Sequence, residues 1–278
     1  MKKIIMASVA MLALAACSSD KGQEMADMPE TAPAEQQAVV FNIVGQTFYN
    51  EFIPCTGGPD YSREAAAEMA AEWRNLGISS DILGAWGYEP ASENNQYENG
   101  WWELQWTNKE AADKGWQEWM ANEGALAWSE KYASVMTCDG PNRVSWDFHF
   151  ARDPYSFGEL NASGEFFSAY LPCNLNEGKT MADADAAIEL YNGWLDNLDA
   201  EQVSFYAYGI YASNAGSTKV DLYWGNFHES AEAMQAGDEM WATTGGDAKA
   251  AVEAAMTCGN PELHNSKLLY DPANPDFS

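Results

Sequence analysis

Two stretches of this chain repeat one another almost element for element. Phe48-Tyr-Asn-Glu-Phe-Ile-Pro-Cys55 returns as Phe166-Phe-Ser-Ala-Tyr-Leu-Pro-Cys173, and Met136-Thr-Cys138 returns as Met256-Thr-Cys258. Between them, Trp106-Thr-Asn108 is answered by Trp224-Gly-Asn226. Three anchors in one order and at a nearly constant offset point to two copies of one folding unit, so any fold for this chain must place that unit twice.

Within each copy the hydrophobic pattern predicts strand, helix, strand, strand, helix, strand. In the first copy, aromatic and branched residues run over 48–55 and stop at the Gly57-Gly58-Pro59 turn. Ala66, Met69, Ala70, Trp73 and Leu76 then share one helical face that ends at Gly77. Strands are expected at 81–89 and 101–107, followed by a helix capped by Asn108 and interrupted near 122–124, and a last strand at 144–151. The second copy predicts strands at 166–173, 203–211, 219–224 and 267–270, with its second helix capped by Asn226. Along 48–53 and 203–211, apolar residues occupy both faces, as required where helices cover one side of a sheet and a second sheet covers the other.

This order is that of the split βαβ, ferredoxin-like unit. Two such units in tandem, over about residues 45–271, resemble the dimeric α+β barrel superfamily, which includes antibiotic-biosynthesis monooxygenase-like and stress-responsive barrel proteins. The resemblance implies an α+β fold in which two tandem βαββαβ ferredoxin-like repeats, 41–152 and 153–271, pack as a single-chain dimeric α+β barrel before a tail at 272–278. It also permits oxygenase or isomerase chemistry on a small molecule.

The first residues carry a cellular address. Lys2 and Lys3 precede an apolar run, and Leu14-Ala15-Ala16-Cys17 resembles the lipobox of bacterial lipoproteins. That resemblance implies a signal peptide over 1–16, lipidation of Cys17 and, with Ser18 following, delivery to the outer membrane with the body in the periplasm or at the cell surface. Residues 17–40 are polar, acidic and without apolar periodicity, and read as a lipidated flexible tether. The remaining cysteines, Cys55, Cys138, Cys173 and Cys258, fit an oxidising compartment. Three connectivities are open to them; Cys55 with Cys138 and Cys173 with Cys258 is favoured, because each copy should have been self-sufficient before duplication. Closing loops of roughly 80 residues this way is worth about 4 kcal/mol in the chain-entropy account.

Composition narrows the partners. With 42 acidic against 14 basic side chains and a net charge of −28, the chain repels phosphate backbones, and nucleic acid is excluded as a partner. The expected partners are the membrane, through the lipid anchor, and a small molecule or an envelope protein. No nucleophile elbow, phosphate-binding glycine loop, cofactor motif or metal-ligand spacing occurs, so no catalytic residue, cofactor or metal is assigned. Period-two reading puts Trp101 and Glu103 on one strand face and Asp221 and Tyr223 on the counterpart face. Two carboxylates, Glu103 and Asp221, would then face a shared interior, joined by Asp147 and His149 from the last strand of the first copy. Such an acidic, aromatic-walled space suits a cationic or sugar-like ligand. Trp73, Trp116, Trp119 and Trp194, at helical spacing, are assigned to core packing, and His228 to a helix surface. The expected function is a non-enzymatic binding or interaction module of the envelope. A small-molecule enzyme and a structural envelope component are the alternatives.

Overall fold

The computed structural model describes residues 43–199, 203–214 and 219–273. The expected signal, tether and Cys17, and the tail from 274 onward, lie outside the described residues. The first half runs β1 (Phe48–Gly57), α1 (Arg63–Arg74), β2 (Ile82–Pro90), β3 (Gly100–Trp106), α2 (Lys109–Ala121), α3 (Glu123–Lys131), β4 (Met136–Cys138) and β5 (Val144–His149). The second runs β6 (Glu165–Leu175), α4 (Met181–Leu195), β7 (Tyr206–Ser213), β8 (Leu222–His228), α5 (Ala231–Thr244), α6 (Gly246–Ala255), β9 (Met256–Cys258) and β10 (Glu262–Tyr270).

The strands follow the order β10-β2-β3-β1-β5-β7-β8-β6, and β6 pairs in turn with β10, so eight antiparallel strands close on themselves. The short strands β4 and β9 extend β1 and β6. The two halves meet edge to edge at β5–β7 and β10–β2, which leaves neither of the four-stranded sheets with an open edge. The fold is therefore a mixed α+β one, built on a closed antiparallel barrel.

Side-chain alternation divides the apolar residues into three cores. Tyr49, Ile53, Trp102, Leu104 and Trp106 point outward and pack under α1 to α3. Tyr206, Tyr208, Ile210, Leu222 and Trp224 do the same under the helices of the second half. The alternate residues, among them Phe52, Tyr88, Trp101, Phe148, Tyr170 and Tyr211, fill the barrel interior. This accounts for strands that are apolar on both faces. Interior room for the tyrosine rings depends on Gly225, where a Cβ would lie 2.9 Å from Tyr211 Cε2 and 3.1 Å from Tyr170 Cε1.

The cysteines pair as favoured, Cys55 with Cys138 and Cys173 with Cys258. Each bridge links a long strand to the short strand beside it, at directly opposed positions.

The third anchor of the sequence is corrected by the strand register. Ile53 faces Trp102 and Leu171 faces Trp224, while Tyr49 faces Trp106 and Phe167 faces His228. Trp102, not Trp106, thus corresponds to Trp224, and the counterpart of Glu103 is Gly225, not Asp221. The cause is a longer segment between the first and second strands of the second half, seen in the span from Phe52 to Trp86 against that from Tyr170 to Gly209, which a tripeptide match cannot register. Helix capping agrees: Asn108 caps α2, but Ser230 caps α5, and Asn226 lies within β8. His228, expected on a helix surface, is the buried last residue of β8, its ring 5.0 Å from that of Tyr206.

Candidate functional site

Glu103 sits midway along β3 with its side chain inside the barrel and is 1% exposed. Its Oε1 accepts from Asn50 Nδ2 at 2.6 Å, and its Oε2 accepts from the Tyr88 hydroxyl. Tyr211, from the second half, also hydrogen bonds to it. Burial pushes the carboxyl up to about 7, against these hydrogen bonds, which favour the charged form. Burial likewise holds the hydroxyls of Tyr88, Tyr170 and Tyr211 well above the usual phenol range. Next to them is His264, 3% exposed, with its ring 5.9 Å from Tyr88 and 6.0 Å from Tyr170. Neither of its ring nitrogens has a hydrogen-bond partner, and burial lowers it to about 4. Asn50 Oδ1 and the Tyr170 hydroxyl are also buried without partners in good geometry. Buried polar atoms are usually paired, so four unpaired ones inside one barrel mark it as a place where packing alone does not set the residue types.

Of the residues singled out in the sequence, Glu103, Trp101 and Tyr223 do contribute to this interior, the latter two as partly buried rings. The other three do not. Asp221 is exposed before β8 begins, where its Oδ2 accepts from the Leu175 backbone N–H at 2.8 Å. Asp147 and His149 alternate with the interior residues Trp146 and Phe148, and so lie on the outer face. There Asp147 accepts from Asn214 at 2.9 Å, and burial lowers the basicity of His149 against the field of Asp185. The expected pairing of Glu103 with Asp221 in one interior is thereby corrected.

The helix-covered face of the first half holds a cavity of about 350 Å³, walled by Trp73, Trp102, Trp106, Trp116, Trp119 and Trp128. The indoles pack edge to face, Trp73 against Trp102 at 5.0 Å and Trp119 against Trp128 at 5.8 Å, and so frame the space instead of filling it. Trp73 belongs to the core as expected, while Trp116 and Trp119 also form cavity wall. Behind the wall, Glu51 is 3% exposed and fully engaged. Its Oε2 accepts from Trp106 Nε1 at 3.1 Å and Trp116 Nε1 at 2.6 Å, and its Oε1 from Arg143 Nε at 2.7 Å. Arg143 also stacks over the Trp116 ring at 4.5 Å. Gly115 on α2 permits this arrangement, since a Cβ there would lie 2.3 Å from Trp106 Cη2. Glu118, at the cavity edge, is the one ionisable side chain among the lining residues, Cys138 being disulfide-bonded. The sequence marks Glu51 as a position that differs from its counterpart Ala169 in the second copy, but neither its partners nor the cavity could be read from the chain. The available signal was an acid on the tryptophan-facing side of β1.

Among the described residues no cluster of three or more His, Cys, Asp or Glu side chains could hold a metal ion, and no helix is long and apolar enough to cross a membrane. No protein-family model and no curated protein sequence matches the chain. Solved structures are similar to it over most of its length. A chlorite dismutase variant from Candidatus Nitrospira defluvii is 12% identical, with 80% of this chain and 92% of that one covered at a TM-score of 0.47. A protein described as a monooxygenase on provisional grounds, from Lactobacillus acidophilus NCFM, is 10% identical, with coverage of 80% and 94% and a TM-score of 0.49. An anthrone oxidase-like protein is 11% identical, with coverage of 80% and 91% and a TM-score of 0.46. At such identity the likeness is one of fold, and no substrate or residue role is carried over. The similar structures bear the names of enzymes or enzyme-like proteins, which runs against the expected non-enzymatic binding module; that expectation is corrected.

Proposed function

We propose that the chain is a small-molecule enzyme, of oxygenase or isomerase type, that takes a flat, uncharged aromatic substrate into the tryptophan-walled cavity of the first half. The observation that carries this reading is the cavity itself. Its volume of about 350 Å³ falls within the roughly 300–1,000 Å³ range of small-ligand sites. Its walls are ring faces and edges, to which a planar aromatic molecule adds offset-stacked and edge-on contacts. The buried charge behind it, Glu51, is already neutralised by Arg143 and held by two indole N–H groups, so beyond Glu118 at the edge a charged ligand would find no counter-charge. Glu118 is placed to accept a proton from a hydroxyl or an acidic C–H at the cavity edge, the step common to both reaction types.

Titration with naphthol, an uncharged planar aromatic with one ionisable hydroxyl, tests the site. Saturable quenching of tryptophan fluorescence at one site per chain is expected, and Ser79→Phe, which projects a ring into the cavity, should weaken it about tenfold. For turnover, oxygen uptake with dihydroxynaphthalene should fall about a hundredfold in Glu118→Gln while naphthol affinity holds. Naphthol binding untouched by Ser79→Phe would remove the cavity from consideration.

The setting is part of the same proposal. The two halves are read as copies of one βαββαβ ferredoxin-like unit, supported by their common element order and by cysteine pairs at matching registers. The body is read as lipid-anchored through Cys17 at the bacterial outer membrane, in the periplasm or at the cell surface. The lipobox-like segment supports that reading, as do disulfides, which persist in oxidising compartments. Metabolic labelling with a palmitate analogue, lost in Cys17→Ser, checks the anchor.

A further inference from the structure

The Tyr88–Glu103 pair takes no part in the cavity, yet it has what one-electron oxidation of a phenol requires. Removing an electron from tyrosine makes its hydroxyl strongly acidic, and in a medium that cannot solvate charge the proton must pass directly to a neighbouring base. The Tyr88 hydroxyl already donates to Glu103 Oε2 inside the barrel, and Asn50 Nδ2 steadies the other carboxylate oxygen at 2.6 Å. The charge balance favours transfer. A buried carboxylate is penalised by its surroundings, and accepting the phenolic proton as the electron leaves removes that charge.

Oxidisable rings also connect the pair to solvent. Trp101 stands directly opposite Tyr88 in the β2–β3 pairing. Tyr97 is edge-on to Trp101 at 5.5 Å and is 39% exposed. Inward, Tyr170 is 5.6 Å from Tyr88, and Tyr211 is 5.6 Å from Tyr170. Of the groups around Glu103, Tyr88, Tyr170 and Tyr211 are titratable, and His264 faces Tyr88 and Tyr170 with both nitrogens unpaired.

We propose that Tyr88 and Glu103 form a proton-coupled one-electron site, reached from solvent through Tyr97 and Trp101, that is oxidised by diffusible high-valent metal or radical oxidants. In the step, the oxidant gains one electron. The Tyr88 O–H bond breaks, its proton forms the O–H bond of the Glu103 carboxylic acid, and a neutral phenoxyl radical remains on Tyr88. One electron from a one-electron reductant, with return of the proton from Glu103, restores the pair.

The test uses the full body with both disulfides intact, at pH 8, where Glu103 is charged. Flash-generated tris(bipyridine)ruthenium(III), with persulfate as electron sink, is the oxidant, and freeze-quench electron paramagnetic resonance the readout. The wild type should give a tyrosyl signal that Tyr88→Phe abolishes. Glu103→Gln, which keeps the shape but cannot take the proton, should shorten the radical lifetime by about tenfold. Tyr97→Phe combined with Trp101→Phe should lower the yield without changing the spectrum. Absence of a tyrosyl signal, a signal that survives Tyr88→Phe, or a lifetime unmoved by Glu103→Gln would each overturn the proposal. Naphthol binding reads a different part of the molecule, so the two proposals fail separately.

Discussion

Replacing Glu103 by Gln should invert the usual effect of mutating a buried, hydrogen-bonded acid, and the inversion should grow as pH rises from 4.5 to about 7. In the folded barrel the carboxyl is raised from 4.5 to about 7, chiefly by burial. The folded state therefore holds this proton more tightly than the unfolded chain does. The stability that it contributes is complete below pH 4.5 and is lost as pH rises through about 7. A shift of this size, at about 1.4 kcal/mol per unit, is worth about 3 kcal/mol. His228 and His264 act in the opposite sense. Burial lowers each from 6.5 to about 4, so their contribution is complete above 6.5 and is lost as pH falls through about 4. Between pH 4.5 and 7 the wild-type profile is thus a sum of opposed slopes, and its flatness or steepness alone decides nothing. The difference between wild type and Glu103→Gln isolates the carboxyl, because both proteins carry the same histidines. Guanidinium unfolding with the disulfides intact, from pH 4.5 to 8, should show the variant gaining about 3 kcal/mol relative to wild type across the range. At pH 4.5 it should be equal to or slightly below wild type, since glutamine keeps an acceptor for Tyr88. A difference that stays constant with pH would refute the argument, for it would mean that Glu103 has the same affinity for its proton folded and unfolded.

Further outcomes follow from packing and from the bridges. Gly115→Ala is a substitution that ordinarily favours a helix by about 1 kcal/mol. Here the new Cβ would lie 2.3 Å from Trp106 Cη2, so thermal unfolding should show a loss of about 1–3 kcal/mol instead. An unchanged or raised Tm would show that the indole has room to move. Removing one bridge by Cys173→Ser with Cys258→Ser opens a sequence separation of 85 residues and should cost about 4 kcal/mol in denaturant unfolding. Free thiols found in the native wild-type protein would contradict the pairing.

Much of the barrel was readable because its cause is local. Alternation along Phe48 to Ile53 puts Phe52 inward and Ile53 outward, and both are apolar, so each strand reports that it has two covered faces. The same alternation placed Trp101 and Glu103 on the inner face of β3. What escaped were relations between segments whose spacing is set by loops. A four-residue slip put Asp221 where Gly225 stands, and with it a second carboxylate where the structure needs room for Tyr170 and Tyr211. The partners of Glu103 were hidden for a related reason: Tyr88 and Asn50 come from neighbouring strands and Tyr211 from the other half, and no spacing in the chain records which strand edge meets which. The tryptophans pack in the cores as expected, but the space that they enclose was hidden for another reason. Periodicity shows which side of a helix faces the sheet, but whether that side closes on the sheet depends on the volume beneath it. In the first half the helix breaks at Asn122, which ends α2 and caps α3, and Glu51 holds Trp106 and Trp116 by their ring nitrogens. Indoles tethered in this way stand as walls. Burying a carboxylate beneath them is costly unless Arg143 accompanies it, so the cavity, the acid and the arginine are one arrangement whose parts come from β1, α2 and the turn before β5.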